Sequence, residues 1–476
     1  MKSLLLVILF PFIAYTQWQP DVRLTNDAGS SSTSNNNSWS IAANGNIVHV
    51  VWYDNRDGNY EIYYKRSSDG GSSWGTDTRL TNNSSLSYNS SVSVSGSTVH
   101  IVWQDNRDGN HEIYFKRSTD EGLSWGTDTR LTNNSSISNN PVVSVAGSAL
   151  HIAWYDNRDG NYEIYYKRST DNGVSWVADL RLTNDTSSSS TSSISVSGSL
   201  IHVVWQDFRD SDDEIYYKRS TDGGVSWGAD TRLTNNTGES LYPAVSVSGS
   251  AVNVVWRDDR DGNYEIYYKR STDGGVSWGT DIRLTNNSSL SSLPSVIVSG
   301  SAGHVVWHDD RDGNYEIYYK RSSDGGVSWG TDTRLTNNSS FSGYPSISLS
   351  GSAVHVVWLD GRDGNDEIYY KRDPNGNVVG LTYMNSELPK EFKLEQNYPN
   401  PFNPSTNFEF RIAEFGFVHL TIYDVMGKEV ETIVNGNLKP GTYKADWNAS
   451  KFTSGVYFYK LTAGSFTETK KMLLVK

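Results

Sequence analysis

No cysteine occurs anywhere in the 476-residue chain. That excludes a disulfide framework, a thiolate metal site and a thiol nucleophile. Positive charge is in deficit, with 41 Lys and Arg against 54 Asp and Glu and a net charge of −13. A protein that grips a polyanion needs a basic footprint, so nucleic acid is excluded as a partner. Methionine and proline are sparse, and long apolar runs are missing beyond the first residues. The one such run, residues 4–14, follows Lys2 and ends at the small residues Ala14 and Thr16. It is too short to span a bilayer and reads as an export signal over residues 1–16, leaving Gln17 as the new N-terminus. No transmembrane segment is expected. What the chain does have is Trp, Tyr, Ser, Asn and Gly in abundance, which suits many short strands joined by tight turns. Its length exceeds what one core usually reaches, so more than one domain is expected.

Self-similarity dominates the sequence. Trp52, Trp103, Trp154, Trp205, Trp256, Trp307 and Trp358 recur every 51 residues, each within a version of V-V-W-x-D-x-R-D-G-N-x-E-I-Y-Y-K-R-S. One unit reads as four antiparallel strands: A over 91–95, B over 98–105, C over 111–118 and D over 125–132. Asp-Gly and Gly-Asn turn chemistry lies between B and C. A four-stranded unit of this length is the size of one propeller blade. The fold expected for residues 17–372 is therefore an all-β, seven-bladed β-propeller. The seventh unit lacks its D strand, and the segment Trp18–Asn26 matches that strand in the other units. The N-terminal strand is expected to close the last blade, which leaves no open sheet edge.

Between C and D six of the seven units carry S-x-D-x-G-x-x-W. The copies place Asp69 with Trp74, Asp120 with Trp125, Asp171 with Trp176, Asp222 with Trp227, Asp273 with Trp278 and Asp324 with Trp329. These six copies resemble the Asp-box (BNR) repeat of sialidases and related propellers. The box reads as scaffold: Asp accepts turn amides, Gly supplies an unusual backbone and Trp packs over the turn. The sialidase resemblance implies three arginines on a substrate carboxylate, a Tyr–Glu nucleophile pair and an Asp acid/base. This chain has no F/Y-R-I-P motif near its N-terminus, and Phe410-Arg411-Ile412-Ala413 lies in the wrong domain. The inner strands, such as SVSV (91–94) and SISV (193–196), carry no titratable residue. General acid–base chemistry needs such groups in place, so no catalytic residue is assigned and the reading leans away from an enzyme.

Each B–C loop groups Asp, Arg, Asp and Glu, as in Asp54, Arg56, Asp57 and Glu61. The plain reading is an ion-pair network. Clustered hard oxygens also make Asp54, Asp57 and Glu61 candidates for Ca2+, although their spacing is not that of an EF-hand; no other cofactor is expected. Histidine opens six B strands, at His49, His100, His151, His202, His304 and His355, while the fifth has Asn253. Asn cannot replace a base, so this column reads as structural. Variation marks the candidate ligand contacts. After the strand-B Trp come Tyr53, Gln104, Tyr155, Gln206, Arg257 and His308 (with Leu359 in the last repeat). Phe208 varies within the B–C loop, and the D–A loops add Tyr88, Leu290, Phe341, Tyr242 and Tyr344. Aromatics among polar groups suit sugar or protein surfaces.

After Arg372 the composition changes. Residues 373–395 read as a linker. Residues 396–476 open on Gln396-Asn-Tyr398-Pro-Asn-Pro401-Phe402-Asn-Pro404 and continue through Tyr423-Asp424-Val-Met-Gly427, Gly441-Thr-Tyr443 and Ser454-Gly455-Val-Tyr457. This closely resembles the type A sorting domain of the type IX secretion system. Alternating apolar and polar residues suggest five to seven strands in a small Ig-like β-sandwich. The resemblance implies the type IX machinery as a partner and a secreted or outer-surface location. The leading expectation is a monomeric binding propeller for glycan or surface protein. The alternatives are a sialidase-like glycoside hydrolase (an exo-alpha-sialidase) and a structural or adhesion component of the surface.

Overall fold

The computed structural model describes residues 18–34, 39–351, 353–374, 376, 381–385, 389–438, 440–449 and 452–476. The export signal read over residues 1–16 lies outside them. Every regular element among them is a β-strand.

The second repeat shows how the sequence makes its sheet. Strand A (Ser87–Ser95) pairs with strand B (Thr98–Asp105), B with C (Glu112–Ser118), and C with D (Thr129–Arg130), all antiparallel. Strand B is apolar throughout because both of its faces are covered. Val99, Ile101 and Trp103 pack on Val51, Ile62 and Tyr64 of the first sheet. Val102, on the other face, packs with Val143, Ile152 and Trp154 of the third. Each strand-B Trp is buried, and the indole of Trp103 donates to Asp105 Oδ2 at 3.0 Å. Burying such a side chain stabilises the fold by roughly 3 kcal/mol.

Seven such sheets follow one another, and a hydrophobic core lies between each adjacent pair. The seventh core joins Val357, Ile368 and Tyr370 to Ile41, Val48 and Trp52, so the succession returns to its first member. The closing strand is N-terminal: Val22 pairs with Tyr370 and Arg23 with Tyr369, and Leu24 donates its amide to Ile368 at 2.8 Å.

Two strands differ from the sequence expectation. Strand D is only two residues long, because the Asp-box Trp leaves the ladder and packs on the neighbouring sheet. Trp125 stands edge-on to Tyr64 at 4.9 Å. Strand A is longer, spanning nine residues with a bulge near its start, between Tyr88 and Ser91. The third residue of A adopts a left-handed conformation at Asn89, Asn140, Thr191, Tyr242, Leu293 and Tyr344, with φ between 49° and 54°. Residues read as D–A loop, Tyr242 and Tyr344 among them, therefore sit on this bulge.

The inner strands alternate Ser and Val for two separate reasons. The valines enter the cores between sheets. The serines tie adjacent A strands together: Ser91 Oγ accepts the Val143 amide at 3.3 Å, Ser193 Oγ that of Val245 at 3.2 Å, and Ser346 Oγ that of Ser40 at 3.1 Å. In the first sheet the A strand is broken into Ser31–Ser32 and Ile41–Asn44. Trp39, just before the second piece, shares a narrow void with Ser91, Val142, Val143, Ser193 and Ile194. Trp39 thus meets A-strand residues of the second, third and fourth sheets.

The C-terminal region forms two four-stranded sheets. Phe408, Phe410, Leu420, Tyr459, Leu461 and Met472 fill the core between them. Eight strands build it, more than the five to seven expected. Leu381–Asn385 pairs with Gly441–Asn448, and Lys393–Leu394 pairs with Ser405–Ile412. Part of the stretch read as linker, 373–395, thus belongs to this sandwich.

Candidate binding pocket

Every B–C loop is held by the same charged frame. In the second sheet Arg107 donates to Asp105 through Nη2 at 2.5 Å and Nε at 2.9 Å, and to Asp128 at 2.7 Å. Its guanidinium lies 4.4 Å from the ring centre of Tyr114. Arg130 joins Glu112 at 2.8 Å to Asp108 at 3.2 Å. In the first sheet Asp54 is taken by Arg56, Asp57 by Arg79 and the Tyr63 hydroxyl, and Glu61 by Arg79. The three carboxylates named as Ca2+ candidates are thus each committed to cations of the chain. Among the described residues no group of three or more His, Asp or Glu is arranged to hold a metal ion.

The Asp-boxes are local braces on the C–D turns. Asp120 accepts Ser124 Oγ at 2.6 Å, the Ser124 amide at 2.8 Å and Ser118 Oγ at 2.7 Å. Those hydrogen bonds, Ser124 first, hold its carboxyl down at about 2. Gly122 is required: its φ is 83°, and a Cβ there would fall 1.9 Å from the Tyr64 hydroxyl of the preceding sheet. The histidine column is equally structural. His49 Nδ1 stands 2.7 Å from the Tyr64 hydroxyl, and burial, then Arg66, push the ring down to about 3.

The divergent residues behave differently from one another. Gln104 is buried and its Oε1 accepts the Asn140 amide at 2.9 Å, while Gln206 accepts that of Tyr242 at 3.3 Å. These two glutamines hold the left-handed residue of the next sheet, which gives them a structural task. Phe208 is half exposed and lies outside the pocket lining. Tyr53 packs against Tyr60, and Tyr155 against Tyr162, at 5.3 and 5.2 Å.

Arg257, His308, Tyr242 and Tyr344 come together. They line one cavity of about 310 Å3 across the fifth, sixth and seventh sheets, with Tyr264, Leu290, Ser292, Leu293, Tyr315 and Phe341. The Arg257 guanidinium lies between two rings, 4.5 Å from Tyr242 and 4.3 Å from Tyr264. It donates to Ser292 Oγ at 2.8 Å, and among the described residues its buried Nε has no partner and no carboxylate forms an ion pair with it. His308 is buried, with ring contacts to Tyr315 at 4.8 Å and Tyr344 at 6.0 Å. Burial, then Arg257, push it down to about 3, so it is neutral, and its Nδ1 has no hydrogen-bond partner. Three lining residues, Tyr242, Leu293 and Tyr344, occupy the left-handed bulge. The conformation recurs at this bulge in six of the sheets, and a bulky residue holds it at a cost of about 1 kcal/mol or more.

Sequence reasoning missed Tyr264, Tyr315, Ser292 and Leu293. A signal for two of them was present. The position after D-G-N varies as Tyr60, His111, Tyr162, Asp213, Tyr264, Tyr315 and Asp366, a column as divergent as the one that gave Arg257.

A succession of four-stranded sheets, braced by Asp-boxes and carrying a pocket where its repeats diverge, defines an Asp-box β-propeller. The family model described as a BNR repeat-like domain matches residues 100–356, and the chain belongs to that family. A second model, the secretion system C-terminal sorting domain, matches residues 396–476. The protein is therefore type IX cargo, delivered to the cell surface or the extracellular space. No curated protein matches the sequence. Among solved structures, the polysaccharide lyase Uly1 is similar at 9% identity, covering 75% of this chain and 99% of that one, with a TM-score of 0.50. A Trypanosoma rangeli sialidase gives 12% identity, 84% and 86% coverage and a TM-score of 0.42. Among the described residues no helix is long and apolar enough to cross a membrane.

Proposed function

We propose that the propeller is a glycan-binding module and that its pocket takes an acidic sugar. The observation that carries this is Arg257. A guanidinium stacked against Tyr242 and Tyr264, bonded to Ser292 and in no ion pair among the described residues, keeps its charge for one carboxylate. Tyr315, Phe341 and Tyr344 offer ring faces to the sugar. Neutral His308 offers a ring nitrogen to a hydroxyl. Calorimetric titration of the full chain with N-acetylneuraminic, glucuronic and galacturonic acids tests the reading. At least one is expected to bind, and Arg257→Ala to weaken it tenfold or more, equally with calcium or a chelator. Binding that ignores Arg257 overturns it.

A hydrolase is the second reading, and one contact favours it. Tyr264 donates to Glu239 at 2.6 Å, beside Asp213, whose carboxyl burial and then Glu239 push up to about 6. Against it stand the single pocket arginine and a histidine too weakly basic to shuttle protons at neutral pH. Turnover of an aryl sialoside that is abolished by Tyr264→Phe would favour the hydrolase over the binding module.

A further inference from the structure

The pocket is one end of a longer aromatic surface. Tyr88 lies 6.2 Å from Tyr53 and 5.5 Å from His111, ring centre to ring centre, and Tyr53 lies 5.3 Å from Tyr60. The seventh sheet adjoins the first at this level: Thr33, next to the Ser32 that pairs with Tyr53, donates its hydroxyl to the Tyr344 carbonyl at 2.8 Å. Tyr53, Tyr88 and Tyr155 thus stand on three successive sheets where the start of strand A meets the end of strand B, the level at which Tyr242 and Tyr344 enter the pocket. All five are partly, not fully, buried. Amides are set among them: Asn89 donates to Asn140 at 2.6 Å, and Asn140 donates to the Tyr155 hydroxyl at 3.1 Å.

The first, second and third sheets contribute Tyr53, Tyr88 and Tyr155, whereas Arg257 stands on the fifth. The fold does not require tyrosine there, since the fourth sheet uses Gln206 where the first and third use Tyr53 and Tyr155. Ring faces alternating with amides are the surface that pyranose rings stack on and hydrogen-bond to. A peptide strand would instead ask for a free row of backbone groups, and serine hydroxyls already take A-strand amides here.

Resting on the acidic-sugar reading of the pocket, we propose that the protein binds an extended oligosaccharide: one acidic residue occupies the Arg257 pocket, and its neighbours in the chain stack along Tyr155, Tyr88 and Tyr53. The ligand class is then an internal stretch of an acidic polysaccharide, and the binding energy is spread over several subsites.

The test is chain-length dependence, measured on the full chain with galacturonate, hyaluronan and polysialic oligomers of one to six units. Wild-type affinity is expected to rise at least tenfold from one repeat unit to four. Tyr88→Ala is expected to bring that ratio to near one, and Arg257→Ala to weaken every length together. Affinity that is Arg257-dependent but independent of length overturns the extended site and leaves the pocket reading standing. Absence of binding by any monomer or oligomer overturns both. A length effect that survives both Tyr88→Ala and Tyr155→Ala overturns the tyrosine track, as does Tyr88-dependent capture of a glycan-free polypeptide in place of the sugars.

Discussion

The Nδ1 atom of His49 stands 2.7 Å from the hydroxyl of Tyr64, both side chains buried, and His151–Tyr166, His202–Tyr217 and His355–Tyr370 repeat the contact at 2.6 to 2.7 Å. Burial pushes these histidines down from 6.5 to about 3 or 4. Above pH 6.5 the ring is neutral in both the folded and the unfolded chain. Below it the unfolded chain takes up protons that the folded chain refuses. Stability is therefore full above pH 6.5 and drains as pH falls toward 3 to 4, by up to ~1.4 kcal/mol per pH unit for each histidine. Urea midpoints at pH 7 and pH 5 check this. His202→Asn is expected to reduce the difference, because Asn253 already fills the place, accepting from Tyr268 at 2.5 Å.

The second sheet breaks that pattern from the other side. Phe115 replaces the tyrosine, and both ring nitrogens of buried His100 lack a hydrogen-bond partner. Phe115→Tyr restores the hydroxyl at a position where Gly173 leaves room, as Gly122 does for Tyr64. The expected gain is about 1 kcal/mol, read as a rise in the urea midpoint. No change at pH 7 would count against the hydrogen-bond account.

The B–C frame invites the opposite experiment. Arg158 donates twice to buried Asp156, at 2.6 and 2.9 Å, and once to Asp179 at 2.8 Å. Arg158→Ala strands a carboxylate that is fully buried. The expected loss is about 3 kcal/mol, against nearly nothing for an exposed pair. Thermal denaturation of the variant measures it, and a shift of under a degree would sink the claim that these loops are scaffold.

The propeller architecture was legible because the repeat states it seven times. The Trp52-to-Trp358 spacing set the unit, and the match of Trp18–Asn26 to a missing D strand located the closure. The length of D was not legible: Trp125 looks like a strand residue, and only the neighbouring Tyr64 draws it out of the ladder. The pocket was half legible. Arg257 and His308 stood out by breaking their column, yet so did Gln104 and Gln206, which turn out to hold backbone amides of the next sheet. A single repeat cannot tell a side chain aimed at solvent from one aimed at its neighbour, since both escape the intra-blade pattern. Trp39 escaped notice because it has no counterpart in the other repeats, and its contacts are with strands far away in sequence.

The strand Val22–Arg23 has a consequence for assembly. It is the first strand of the propeller to be made, but its partners Tyr369 and Tyr370 are nearly 350 residues away. The most distant contact of the propeller is therefore also its latch. Pairing across so long a stretch of chain is intrinsically slow. Until the strand Glu367–Asp373 has been made, Val22–Arg23 has nothing to pair with, so the ring can close only after nearly the whole propeller exists.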